Sequence, residues 1–116
     1  MSSTLLSSKA RLEGSPRDLQ CALRALEGVL DPILGENIVE LGLIEALRVD
    51  ADSAELLLVS TQDDCPLSDL TADEAFRALQ RALPERDLFV RHDADVDWRP
   101  ERMSPTLRSR LAWIHR

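Results

Sequence analysis

Cys65 is the residue of this chain with the clearest capacity for chemistry. It sits in Ser60-Thr61-Gln62-Asp63-Asp64-Cys65-Pro66-Leu67-Ser68-Asp69-Leu70, just past an apolar run, between two aspartates and a proline. A cysteine there has two readings: a small residue at a turn, or a thiolate offered to a metal, a cluster or a partner protein. A helix starting at or soon after Pro66 would set the sulfur near its positive end and favour the thiolate. Asp63 and Asp64 oppose this by like-charge repulsion. Residue type alone leaves both readings open. A loop between a buried strand and a helix is, however, where functional groups collect.

The other candidates are weaker. Cys21, the second of the two cysteines, falls on a helix beside Ala25 and Gly28 and reads as a small core or boundary residue. No Cys-x-x-Cys occurs, which argues against a dithiol redox site and against a self-contained zinc site with about four ligands. His92 with Asp93, Asp95 and Asp97 resembles a metal-ligand patch, but a solvated strand end explains it as well. His115 reads as a surface residue. There is no Gly-x-Ser-x-Gly elbow and no glycine-rich phosphate loop. A thiol enzyme would need a base at Cys65, and His92 is the one internal histidine able to serve. The residues give no support for an enzyme.

The elements that must position Cys65 follow from punctuation and period. Ser15-Pro16-Arg17-Asp18 is a helix start: a serine cap, proline in the first turn and an acid at the positive end of the dipole. Leu19, Ala22, Leu23, Leu26, Val29 and Leu30 then recur at helical spacing, and Pro32 ends the helix. Residues 31–42 read as a structured loop bracketed by Gly35 and Gly42. Residues 43–61 read as a β-hairpin turning at Asp50-Ala51-Asp52-Ser53, and Leu56–Val59 has the continuous apolar character of a covered strand. Thr71-Ala72-Asp73-Glu74 resembles a capping box ahead of a helix with Ala75, Phe76, Leu79, Ala82 and Leu83 inward, which Pro84 closes. Residues 87–96 supply a third strand. Ser104 and Pro105 start a last helix. The predicted fold is α+β, two layers in the order α-β-β-α-β-α, with helices on one face of a small mixed sheet. Residues 1–14 read as a disordered tail and 15–116 as one domain.

Composition bounds the function. A chain of 116 residues with 44% hydrophobic and 30% charged residues is an ordinary single globular domain. With 3% aromatic residues and no tyrosine, its core must be aliphatic. The formal charge of −7, with Lys9 the only lysine, argues against nucleic acid and against an anionic membrane surface. No stretch has the length of a membrane span and none reads as a signal peptide, so cytoplasm is the expected compartment and free thiols are expected rather than a disulfide.

Three segments, taken together, resemble a known family. Asp31–Ile44 (DPILGENIVELGLI), Thr61–Asp69 (TQDDCPLSD) and Asp97–Leu111 (DWRPERMSPTLRSRL) are similar, in this order and spacing, to the signature of the iron–sulfur cluster assembly domain family. That family includes SufT-like and PaaD-like proteins and the cytosolic cluster-targeting factors. The resemblance runs from about Leu19 to Leu111. Asp31 and Pro32 match the opening acid-proline pair; Asn37, Leu41, Gly42 and Leu43 match the segment entering the first strand. Thr61, Cys65 and Pro66 match the threonine and the Cys-Pro, and Trp98, Met103 and Ser104 match the C-terminal segment. Two features depart from the pattern: Ile33 replaces an acid, and Asp63 and Asp64 make the cysteine loop unusually acidic.

The resemblance implies an α+β domain and a non-catalytic factor in metal–sulfur cluster assembly. Cys65 would be the residue handling a transient iron–sulfur cluster or iron. Asp31, Thr61 and Pro66 would support it, and Trp98, Met103 and Ser104 would belong to a partner surface. The implied partners are iron–sulfur assembly proteins or a client metalloenzyme, with a homodimer as a further expectation. One thiolate supplies a quarter of a cluster's usual cysteine set, so the remaining ligands would come from a second subunit, a small thiol or a client. The alternative is an interaction module that assists assembly of a multicomponent oxygenase or other metalloenzyme, with Cys65 structural.

Overall fold

Residues 10–32, 34–59, 67–93, 96 and 98–114 are described by the computed structural model, with 67–69 and 111–114 described by backbone alone. The element order is β1 (Arg11–Glu13), α1 (Pro16–Leu26), α2 (Ile38–Leu41), β2 (Ile44–Val49), β3 (Ser53–Leu58), α3 (Leu67–Ala82), β4 (Asp87–His92), a 3-10 turn (Pro100–Arg102) and α4 (Pro105–Ile114). The sheet runs β1-β2-β3-β4. β1 is parallel to β2, β2 antiparallel to β3, and β3 parallel to β4. The α+β class and the mixed sheet agree with the expectation.

Local chemistry accounts for most of these boundaries. Ser15 Oγ accepts the Asp18 N–H at 3.2 Å, capping α1 with Pro16 in its first turn. The hairpin closes where Asp50 N–H donates to Ser53 O at 2.7 Å. β4 is parallel to β3 because α3, between them in the chain, provides the crossover. α1 and α3 pack on each other and on the sheet. Leu47, Val49, Ala54, Leu56 and Leu58 are buried beneath them with Ala22, Leu26, Ala75 and Leu79. This is the aliphatic core that the composition requires.

Several expectations are corrected. Residues 11–13 are not tail but β1, whose Leu12 packs against the core while Arg11 and Glu13 point outward. The 31–42 loop contains α2, four residues long and therefore without a readable helical period. Thr71 does not cap a helix: α3 begins one turn earlier at Leu67, and Thr71 lies buried inside it. Phe76 and Leu30, read as inward, are 37% and 52% exposed. Phe76 lies about 100° around the helix from the fully buried Ala75, just past the edge of the apolar stripe.

Candidate functional site at the α2 end of the sheet

Three strand ends meet at one end of the sheet. β2 begins at Ile44, opposite Leu58 at the end of β3, which in turn is opposite His92 at the end of β4. Beyond this point Val59 N–H donates to Leu43 O at 2.7 Å, and Asp93 N–H to Leu58 O at 2.8 Å. From Val59 the chain runs on through Thr61, Cys65 and Pro66 to α3. Cys65, Thr61 and Pro66 lie outside the described residues, as do Asp95 and Asp97.

α2 presents a physical problem at this end, because a helix leaves its last carbonyls without intrahelical partners. Asn37 caps the start, its Oδ1 accepting the Glu40 N–H at 2.9 Å. Gly42 caps the end in the left-handed conformation, φ 75°. The carbonyls of Glu40, Leu41 and Gly42 are then satisfied in turn from the C-terminal segment. Ser104 N–H donates to Glu40 O at 2.7 Å, Trp98 Nε1 to Leu41 O at 2.8 Å, and Arg102 Nε to Gly42 O at 2.8 Å. Segment 98–104 is therefore a latch over the turn from α2 into β2.

Side chains reinforce that latch. Ser104 Oγ donates to Glu40 Oε1 at 3.1 Å and also accepts the Leu107 N–H at 3.2 Å, capping α4. Asn37 Nδ2 donates to Glu40 Oε2 at 3.2 Å. The Arg102 guanidinium, 4% exposed, reaches Glu45 Oε1 at 3.0 Å. Glu45 is the additional residue of a β-bulge between Ile44 and Ala46, a device that re-aims a side chain. Its other oxygen, Oε2, lies 3.7 Å from Arg11 of β1. Gly42 is indispensable here: a Cβ would come within 2.1 Å of Arg102 O, on a backbone already at positive φ.

These contacts relocate part of the expected site. Ser104 is 1% and Met103 8% exposed, so both belong to the interior rather than to a partner surface. Trp98 is half-buried and packs on the core while its indole N–H holds Leu41. Arg102, Glu40 and Glu45 carry most of the polar structure and were missed in the sequence, since arginine is seldom buried. The Met-Ser-Pro motif that starts α4 was the available signal.

Asp31 is also interior, 5% exposed. Its Oδ2 accepts the Leu34 N–H at 2.8 Å. Its N–H donates to Glu36 O at 2.9 Å, and its carbonyl accepts the Gly35 N–H at 2.7 Å. The acid-proline pair thus closes the turn that returns the chain to Asn37, and Arg110 Nη2 of α4 grips Glu36 Oε1 at 2.8 Å. His92 and Asp93 are partly buried and both are engaged in interactions. Among the described residues no group of three or more His, Cys, Asp or Glu side chains converges on a metal position. Cys21 is an exposed free thiol, Sγ 3.7 Å from Ala82 O. No described helix is long and apolar enough to cross a membrane.

The sequence defines the class: the chain belongs to the iron–sulfur cluster assembly protein family, whose model matches residues 20–88. Among curated proteins it is similar to the Fe-S protein maturation auxiliary factor YitW of Bacillus subtilis, 35% identical over 81 residues, spanning 69% of this chain and 79% of that protein. Among solved structures it resembles a domain of unknown function, DUF59, from Bacillus anthracis, with TM-score 0.76 and 28% identity over 83% of this chain and 92% of that one. It also resembles the conserved hypothetical protein TM0487 of Thermotoga maritima, with TM-score 0.69 and 31% identity over 85% of this chain and 95% of that one.

Proposed function

We propose that this protein is an auxiliary factor in the maturation of iron–sulfur proteins, working in the cytoplasm without a catalytic step of its own. It receives or delivers a cluster, or iron, through Cys65 and through contacts with assembly proteins or a client. The observation that carries this reading is the likeness, along 69% of this chain and 79% of the relative, to a maturation auxiliary factor.

Chemistry supports the role given to Cys65. It precedes by two residues the first residue of α3, Leu67, where a helix dipole favours the thiolate. A single thiolate cannot hold a cluster that takes four cysteines, so any cluster here is cargo held jointly with another molecule and is exchangeable. Thr61, four residues ahead of Cys65, and Pro66, directly after it in the chain, keep the supporting role that the family resemblance implies. Asp31 acts indirectly, by fixing the turn ahead of α2.

The test is cluster transfer. The protein, loaded anaerobically, is mixed with an apo iron–sulfur acceptor enzyme and the recovery of acceptor activity is followed. Recovery that falls at least about tenfold with Cys65→Ala, in a variant with unchanged circular dichroism, supports the carrier role. Undiminished recovery removes it and leaves the protein as an assembly module with a structural cysteine.

A further inference from the structure

β4 is the terminal strand, and no described strand pairs with its outer edge. Its side chains alternate: Asp87, Phe89 and Arg91 are exposed, while Leu88, Val90 and His92 are partly buried. Phe89 is 55% exposed in a chain with only two phenylalanines. Among the described residues neither Asp87 nor Arg91 has an ion-pair partner. The main chain has a defined polarity too. Asp87 N–H donates to Asp52 O at 2.9 Å and Asp93 N–H to Leu58 O at 2.8 Å, so the odd-numbered amides face β3. By alternation the N–H and C=O groups of Leu88 and Val90 face the open edge.

We propose that this edge binds a second copy of the chain, β4 against β4, antiparallel about a two-fold axis through Phe89. That register pairs Phe89 with itself, Leu88 with Val90, and Asp87 with Arg91 on both sides. Leu88 and Val90 are the residues whose main-chain groups are turned outward, so they form the hydrogen-bonded pairs. The Phe89 and the Asp87–Arg91 pairs fall at the closer, non-hydrogen-bonded positions, where side chains interact most strongly. Sliding the register to centre on Val90 would put Asp87 opposite Asp93 and lose both ion pairs. A shift of one residue would turn Phe89 to the opposite face of the pairing. Charges on an edge strand commonly serve to repel other edges. Here the two signs are placed symmetrically about Phe89, so an identical strand meets its complement, as a two-fold interface requires.

The resulting sheet has eight strands, and the two Val59 positions, from which each chain runs toward Cys65, fall at its opposite ends. The inference is independent of the reading of Cys65.

Sedimentation equilibrium of the full chain tests it, in reductant and chelator so that neither thiols nor metal bridge the copies. Wild type is expected to show a concentration-dependent dimer. Asp87→Arg and Arg91→Asp, each placing like charges across both symmetry-related pairs, should each raise the dissociation constant at least about tenfold, with unchanged thermal unfolding of the monomer. The double variant Asp87→Arg/Arg91→Asp should return to within about threefold of wild type. In parallel, hydrogen exchange at the Leu88 and Val90 amides should slow as protein concentration rises. A monomer at all concentrations, a dimer indifferent to the single reversals, or a double variant as weak as the singles would overturn the proposal.

Discussion

The α2 end of the sheet and the β4 edge are opposite solutions for polar groups. At the α2 end every main-chain carbonyl from Glu40 to Gly42 has a donor, each from a different residue of the segment Trp98–Ser104. At the β4 edge no described strand pairs with the outward main-chain groups, and Asp87, Phe89 and Arg91 are exposed. A buried polar group without a partner costs about 1–3 kcal/mol, whereas one in water costs nothing. The first region therefore serves stability, and the second is free to serve contacts. The family signature follows the first: Asp31, Asn37, Gly42, Trp98, Met103 and Ser104 are mostly interior. Gly42, Trp98 and Ser104 hold the turn from α2 into β2, and Asp31 and Asn37 hold the turn ahead of it.

If that division holds, substitutions at the latch unfold the protein and substitutions at the edge do not. Gly42→Ala should be the most damaging, by about 4 kcal/mol or more, because it combines a positive φ with a backbone clash. Urea denaturation followed by circular dichroism measures it, and a loss under about 1 kcal/mol would mean the latch can move aside. Arg102→Met keeps the apolar stem but leaves Gly42 O and Glu45 without their donor, for an expected loss of about 3 kcal/mol. Ser104→Ala removes the α4 cap and the bond to Glu40, an expected loss of about 1–2 kcal/mol in the same titration. At the other extreme, Phe89→Ala should leave the monomer's midpoint within about 0.5 kcal/mol while abolishing the concentration-dependent dimer in sedimentation.

Legibility in the sequence follows the same physics. The α1 start at Ser15, the turn at Asp50–Ser53 and the α4 cap at Ser104 were readable because each is closed by residues within three positions. β1 was hidden because its three residues contribute one inward side chain, Leu12, and owe their conformation to Ala46, Leu47 and Arg48 far along the chain. The latch was half legible. Its members stood in the motif, but their roles are long-range bonds such as Trp98 to Leu41, and a sequence shows donors without showing which carbonyls they meet. Burial of Arg102 had no local signal at all, since it follows from the Glu45 bulge.

The division of labour between an interior signature and a working thiol meets its most direct test in anaerobic reconstitution with iron and sulfide. Visible absorption and iron bound per chain would be compared for wild type, Cys65→Ala and Trp98→Phe, the last leaving Leu41 O without its donor at a cost of about 1 kcal/mol. The expected result is charge-transfer bands in wild type and in Trp98→Phe, and none in Cys65→Ala. Equal bands in all three proteins would contradict a role for Cys65 in holding the cluster.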